Sequence, residues 1–155
     1  MRAIAFALLL VGCMPSPVSH QCGVPVRDHV GFIDALRCDG FRVEPTGEST
    51  LPSLRVPGTI FLVTDLRSSR LAQPAQLTSF WYDDTDLGGD ARAVAQADAR
   101  KFAPDGSLRD PSHRIYYRGT PHLYLRAWVL VIYAGDDRGM LEVLDRLLGP
   151  QFAGG

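Results

Sequence analysis

The run Trp128–Tyr133 constrains the fold more than any other stretch, because its six consecutive residues are all apolar or aromatic. A strand with one face in water alternates apolar and polar residues, whereas a strand covered on both faces does not. The run therefore predicts a central strand. Beyond Gly135, apolar residues recur at helical spacing and predict a closing helix, which Gly149 and Pro150 end. These residues are Met140, Leu141, Leu144, Leu147 and Leu148.

The remaining elements follow from local periodicity and turn chemistry. One helix is predicted at residues 29–38, with Asp28 as its N-cap and Gly40 as its stop, and a second at about residues 87–102. Further strands are predicted at residues 41–44, 59–64, 76–82, 114–117 and 122–125. The order α-β-β-β-α-β-β-β-α, with connections of hairpin length, predicts an α+β fold. We expect a mainly antiparallel sheet with the helices packed on one face.

Length and charge limit the classes of protein that the chain can belong to. Its 155 residues are typical of one domain, and a hydrophobic fraction of 46% with a charged fraction of 21% is typical of globular proteins. The formal net charge is −1, with the charges scattered along the chain. Because a nucleic-acid surface needs clustered positive charge, nucleic acid is not expected as a partner.

The N-terminus has the parts of an export signal. Arg2 supplies a positive charge, Ala3–Val11 is apolar, and the small residue Gly12 precedes Cys13. The apolar run is too short to cross a bilayer as a helix. The order Leu-Val-Gly-Cys resembles the lipobox of bacterial lipoproteins, which implies cleavage after Gly12 and acylation (palmitate among the chains) at Cys13. An ordinary secretory leader and a buried first strand remain as alternatives.

This interpretation divides the chain into a signal peptide (residues 1–12), a flexible tether (13–27) and one α+β domain (28–155). The tether is rich in proline and has no apolar periodicity. Outside the cytoplasm, two leftover cysteines are more often paired than free, so we expect a disulfide between Cys22 and Cys38, with two free thiols as the alternative. The expected location is a membrane surface outside the cytoplasm, on either the inner or the outer membrane.

Two blocks of the sequence resemble a family of bacterial lipoproteins of uncharacterised function. The first includes VEPTGE at residues 43–48 and VPG at 56–58, and the second includes PHLY at 121–124, LVIYAGDD at 130–137 and LGPQFAG at 148–154. The chain departs from the family where Thr64–Leu77 replaces a tight hairpin, and at Tyr116–Tyr117, where tryptophan is usual. No activity is known for the family that could be transferred to this chain. The resemblance therefore implies only how far the domain extends and that the protein is exported.

An acidic cluster, Asp83–Asp86, could offer oxygen ligands to Ca²⁺. The spacing does not fit the EF-hand, because no glycine and closing glutamate follow in register. Capping of the next helix by Thr85 or Asp86 is therefore the favoured interpretation.

Two histidines are the other candidates for metal binding. His113 and His122 flank predicted strands and could meet in a hairpin near Asp110, as two histidines and a carboxylate do around Zn²⁺. Their spacing is not diagnostic, and ordinary polar positions at strand edges are the favoured interpretation. We expect neither a metal nor a cofactor.

Aromatic residues on the predicted strands could form a ligand or partner surface on the open face of the sheet. Filling of the core is the favoured alternative. Since Trp81 and Tyr82 are adjacent in a strand, they point to opposite faces, and at least one should be exposed. The other aromatic candidates are Phe80, Tyr116, Tyr117, Tyr124 and the run Trp128–Tyr133.

The sequence contains no nucleophile elbow, zinc-protease motif or phosphate loop, so we expect no enzyme. The favoured function is a membrane-anchored, non-catalytic binding or structural module of the cell envelope. The alternative is a regulatory or inhibitory partner of another envelope protein, docking by the uncovered sheet face; a hydrolase is favoured least. If the chain is a binding module, we expect a concave aromatic pocket, and if it is a partner protein, we expect a flat apolar patch. If it is an enzyme, we expect a cleft in which His113 or His122 meets a carboxylate or serine.

Overall fold

The computed structural model describes residues 22–67 and 69–155, with the side chain of Asp86 left out. The predicted signal peptide and the lipidation position Cys13 therefore lie outside the described residues. The helices are α1 (His29–Cys38), α2 (Asp84–Leu87), α3 (Ala91–Ala99) and α4 (Arg138–Leu148). The strands are β1 (Phe41–Ser49), β2 (Gly58–Asp65), β3 (Ala75–Trp81), β4 (Pro121–Arg126), β5 (Val129–Ala134) and β6 (Ala153–Gly154).

The strands form one six-stranded sheet in the order β1-β2-β3-β5-β4-β6, and every neighbouring pair is antiparallel. The predicted α+β class and antiparallel sheet are thus confirmed. Strand β5 lies inside the sheet, and its residues from Val129 to Tyr133 are all buried, as the uninterrupted apolar run predicts.

The helices cover both faces of the sheet. On the first face, Leu36 of α1 and Leu144 of α4 pack in one cluster with Val63, Leu77 and Val131. This agrees with the prediction that the helices share a face. The prediction is incomplete, because alanines of α3 pack on the second face with Phe80 and Leu130. The physical reason is that β5 is apolar on both sides and needs cover on both. The alanines of α3 are Ala91, Ala95 and Ala99.

The helix ends follow the chemistry of their caps. Asp28 accepts a hydrogen bond from the backbone N–H of Gly31 at 2.7 Å, as predicted, and Gly40 follows α1 with φ +88°. The predicted second helix is divided at Gly88 and Gly89 into α2 and α3. Thr85 and Asp86 consequently lie inside α2 and are not its caps.

The sixth strand is not where the sequence places one. Residues 114–117, predicted as a strand, pair with no other strand among the described residues. Strand β6 instead follows the last helix and pairs with β4, His122 with Gly154 and Leu123 with Ala153. The free edge of β4 is therefore occupied by the C-terminal segment.

The segment before α1 is part of the folded domain. Cys22 and Cys38 form a disulfide with their Cα atoms 5.5 Å apart, as the sequence predicts. Val26, placed in the tether by its composition, is only 3% exposed and packs in the first-face core. The domain thus extends back from Asp28 to Cys22 at least. Within the described ranges, no helix has the length and apolarity to span a membrane.

Removal of the disulfide should destabilise the domain. The bond closes a loop with a sequence separation of 16 residues, and such a loop is worth about 3 kcal/mol in the chain-entropy model. We expect a Cys22→Ser/Cys38→Ser variant to lose about this much free energy of unfolding in denaturant titrations. A reductant should destabilise the native chain but leave this variant unchanged. Two alkylatable thiols in the native, oxidised chain, found by mass spectrometry, would contradict the pairing.

Gly154 is a position at which only glycine fits. Its φ is +87°, and a Cβ built on it would lie 1.8 Å from the carbonyl oxygen of Pro121. We expect Gly154→Ala to lower the free energy of unfolding by about 2 kcal/mol or more, since it adds strain and disturbs the β4–β6 pairing. Gly89→Ala is the matched control, because a Cβ there meets nothing within 4 Å. Equal stability of the two variants would show that the edge pairing contributes nothing.

Candidate functional site

An open cavity lies over the second face of the sheet, beside the part that α3 covers. Ile60, Thr78 and Ile132 lie directly opposite one another on β2, β3 and β5 and line its floor. Its volume is about 450 Å³, within the range of small-molecule sites, roughly 300–1,000 Å³. Ser49 and Gln76 add polar groups to the apolar floor.

The wall of the cavity is the segment 114–118, here called the strap. Its residues alternate in burial: Arg114, Tyr116 and Arg118 are exposed, whereas Ile115 and Tyr117 are half-buried and pack with the second-face core. Tyr116 is 86% exposed although it lines the cavity. The strap thus presents one tyrosine and two arginines at the cavity and its rim.

The strap is held at its C-terminal end. The Tyr117 hydroxyl donates to the carbonyl oxygen of Gly106 at 2.9 Å, and burial, with Asp105 nearby, raises the pKa of this phenol to about 12. Beyond the strap, the N–H of Gly135 donates to the carbonyl oxygen of Thr120 at 2.9 Å. A wall fixed in this way costs little conformational entropy when a ligand binds.

A buried carboxylate fixes the loop that leads away from the cavity. Asp98 of α3 is fully buried and accepts hydrogen bonds from the Tyr82 hydroxyl at 3.0 Å and the Arg55 N–H at 2.9 Å. Lys101 pairs with Asp98 at 2.5 Å and also donates to the carbonyl oxygen of Ser53. Burial and the Asp98 charge raise the pKa of Tyr82 far above its usual range. The cluster is a structural clamp between α3 and the loop after β1.

Among the described residues, some surface arginines pair with a carboxylate, whereas those of the strap do not. Arg70, Arg138 and Arg146 each pair with a carboxylate, Arg146 with Asp39 at 2.8 Å. In the parts of the chain that the structure describes, neither Arg114 nor Arg118 forms an ion pair or a hydrogen bond. No aspartate or glutamate lines the cavity either. The site is therefore electropositive at its rim.

The acidic cluster predicted as a possible Ca²⁺ site caps helices. Asp83 accepts from the N–H of Thr85 at 2.7 Å, and Asp84 accepts from the N–H of Ala91 at 2.6 Å. Asp90 caps α3 through the N–H of Ala93. Side-chain hydrogen bonding with Thr85 lowers the pKa of Asp83. Over residues 22–67 and 69–155, no group of three or more histidine, cysteine or acidic side chains is arranged to hold a metal.

His113 does meet a carboxylate and a serine, but not as a catalytic relay. Its Nδ1 lies 3.1 Å from both the Ser112 hydroxyl and the Asp110 carboxylate, and that hydroxyl donates to Asp110 at 2.6 Å. Hydrogen bonds from Ser112, with His113 nearby, lower the pKa of Asp110 to about 2. In a Ser-His-Asp triad the hydroxyl and the carboxylate bind opposite ring nitrogens. Here both lie at one nitrogen of an exposed turn.

His122 has different partners from His113, so the two histidines do not meet, in agreement with the favoured interpretation of them as separate polar positions. Its Nδ1 lies 2.6 Å from Oε1 of Gln151, and its ring stacks on Tyr133 with the centroids 6.0 Å apart. The Gln151 amide also donates to the carbonyl oxygen of Gly154 at 3.0 Å. His122 thereby helps to hold the C-terminal segment against β4.

Residues behind the family resemblance serve the fold in the same way. His122 from PHLY contacts Gln151 from LGPQFAG, so two separate motifs meet at one hydrogen bond. Asp137 from the GDD sequence caps α4 through the N–H of Met140 at 3.0 Å. A Cβ on Gly58 from VPG would lie 2.6 Å from the Phe80 ring. None of these residues lines the cavity.

The aromatic candidates are divided between core and surface. Phe80, Tyr82 and Tyr124 are buried, as expected of core residues, whereas Trp81 is 40% exposed, as its position beside Tyr82 predicts. Tyr116 and Tyr117 reach the cavity. The cavity residues Gln76, Thr78, Arg114 and Arg118 were not singled out by the sequence. The signal that could have found them is the pair of arginines flanking Tyr116 and Tyr117.

No protein-family model matches the chain, and no curated protein or solved structure is significantly similar to it. The geometry of the site is consequently the basis for assigning a function.

The clamp at Asp98 should be important for stability. Asp98→Ala leaves the Tyr82 hydroxyl and the Arg55 N–H without their acceptor, so we expect a loss of about 3 kcal/mol in the free energy of unfolding. Asp105→Ala is the matched control, because Asp105 is exposed and bonds only to Ser107 nearby in sequence. Denaturant titration of both variants measures the difference. A loss at Asp98 no larger than at Asp105 would mean that the loop is held by other contacts.

Proposed function

We propose that this chain is an exported bacterial lipoprotein whose domain is a non-catalytic binding module, with its ligand in the cavity between the sheet and the strap. The observation that carries the proposal is the cavity itself. It combines an apolar floor, a wall held at its C-terminal end, and two arginines without partners among the described residues. Preformed concavity with a few polar groups is typical of small-molecule sites.

Export is supported by the disulfide between Cys22 and Cys38, because such bonds persist in oxidising compartments and are rare in the cytosol. The leader, with its lipobox-like end at Gly12 and Cys13, points the same way. Acylation of Cys13 would attach the domain to the membrane with more than one chain, which gives stable anchoring.

A short connection would then keep the domain close to the bilayer. Eight residues lie between Cys13 and Cys22; since each of the nine residue steps spans about 3.3–3.6 Å when extended, the connection reaches about 32 Å at most. The ligand would therefore be captured near a membrane surface.

The two other functions have less support. A partner that docks by the sheet face calls for a flat apolar patch, whereas this part of the face is concave and carries Gln76, Thr78 and the arginines of the strap. A hydrolase calls for a relay between a nucleophile and a base. The serine–histidine–carboxylate group described above, at residues 110–113, has both partners at Nδ1, although Asp110 and His113 line a separate open cavity of about 560 Å³.

Anchoring through Cys13 can be tested directly. Cys13→Ser should release the domain from the membrane fraction, or leave it as an uncleaved precursor without attached lipid, because the acylated thiol is absent. Sedimentation of membranes and intact-mass measurement distinguish these forms. Cys22→Ser is the matched cysteine control and should remain acylated and sediment with membranes. If Cys13→Ser keeps both its membrane fraction and its lipid mass, the anchor is elsewhere.

A further inference from the structure

We propose that the ligand of the sheet-face cavity is an amphipathic anion, a compact apolar body that carries one carboxylate, phosphate or sulfate group. This inference rests on the proposed function, since it assigns a ligand chemistry to the same cavity. Three features of the cavity favour such a ligand: the charge at the rim, the apolar floor, and the small number of polar groups between them.

The charge at the rim selects for an anion. Arg114 and Arg118 both line the cavity, and within the described residues no carboxylate neutralises them. A guanidinium offers paired N–H donors that match the two oxygens of a carboxylate or phosphate. A cationic ligand would instead meet two like charges with no acid to compensate them.

The floor selects for an apolar body. Ile60 of β2 and Ile132 of β5 face the cavity from the two sides of β3, and Leu51 and Phe80 border it. A ligand seated on them removes apolar surface from water, which is favourable by about 25 cal/mol per Å². Tyr116, 86% exposed, can turn its ring onto the outer side of such a ligand. Free inorganic phosphate would use the arginines but none of these contacts.

Polar groups on the floor are few and are neutral. Thr78 and Gln76 project from β3 on the same face, and Ser49 borders the floor at the end of β1. They can accept or donate single hydrogen bonds to a ligand but cannot replace the hydration of a sugar with many hydroxyls. The volume of about 450 Å³ fits one small molecule and not a folded partner.

The test uses the mature, acylated chain in nanodiscs, with protein-free nanodiscs as the blank. Four probes share one apolar body: 4-butylbenzoate, 4-butylphenyl phosphate, neutral 4-butylbenzyl alcohol and cationic 4-butylbenzylammonium. Inorganic phosphate is the fifth. Isothermal titration calorimetry should give the two anionic probes at least about tenfold tighter binding than the neutral probe, as expected for a charge-assisted hydrogen bond. Inorganic phosphate should bind more weakly than either.

Variants connect this preference to named residues. Arg114→Gln/Arg118→Gln should abolish the difference between anionic and neutral probes while leaving neutral binding in place. Tyr116→Ala should weaken all probes that share the apolar body. Arg138→Gln is the matched control, because Arg138 is exposed and pairs with Glu142 on α4. All three replaced side chains of the strap are exposed or half-exposed, and thermal unfolding verifies that each variant is folded.

The outcomes separate the two proposals. Equal binding of the neutral and anionic probes, or an anion preference that survives Arg114→Gln/Arg118→Gln, overturns the ligand chemistry and leaves the cavity as a binding site. Absence of binding by any probe overturns the cavity as a binding site as well. Nanodiscs with and without anionic phospholipid identify the source: competition with 4-butylbenzoate indicates a membrane lipid, and unchanged binding indicates a free amphiphile.

Discussion

Strand β5 needs cover on both faces, because its residues from Val129 to Tyr133 are all buried, and this requirement arranges the rest of the molecule. Each such side chain contributes about 1.5–3 kcal/mol when it leaves water. Helices α1 and α4 supply the cover on one face. On the other face the cover is α3, whose nine residues span only about 14 Å. Since α3 contacts β4 and β5, the β2–β3 side of that face remains open, and the cavity is the result.

The residue pattern of one segment predicts well how much of that segment is buried. It predicts poorly which other segments will pack against it. The apolar run at β5 and the leucine stripe of α4 were sufficient to predict both elements, because a single segment shows how much of its surface is buried. The position of α3 on the second face and the pairing of β6 with β4 depend on contacts between distant segments. Residues 114–117 have the alternation of a strand but find the edge of β4 already occupied by Ala153 and Gly154. Periodicity contains no information about that competition.

The candidate site, too, could be predicted from the sequence only in part. Cys22 and Cys38 could be paired from their number and the expectation of export, and the structure joins them. The acidic and histidine clusters were candidate metal sites because their side chains are of types that can bind metal ions. In the structure, however, Asp83 and Asp84 cap helices and His122 holds the C-terminal segment. The arginines of the strap have an unremarkable sequence context. Both line the cavity with no paired carboxylate among the described residues, and only the three-dimensional arrangement reveals that.

The disulfide also determines how the domain responds to mechanical force. Tension applied to the chain ahead of Cys22 passes through the sulfur atoms to Cys38 and on into β1, which begins at Phe41. The residues between the two cysteines, including nearly all of α1, are bypassed and carry none of that pull. A domain held at this point would resist unravelling from its N-terminal end, because the first element to be strained is a strand paired with β2 from Phe41 to Ser49, interrupted only by a bulge between Pro45 and Gly47.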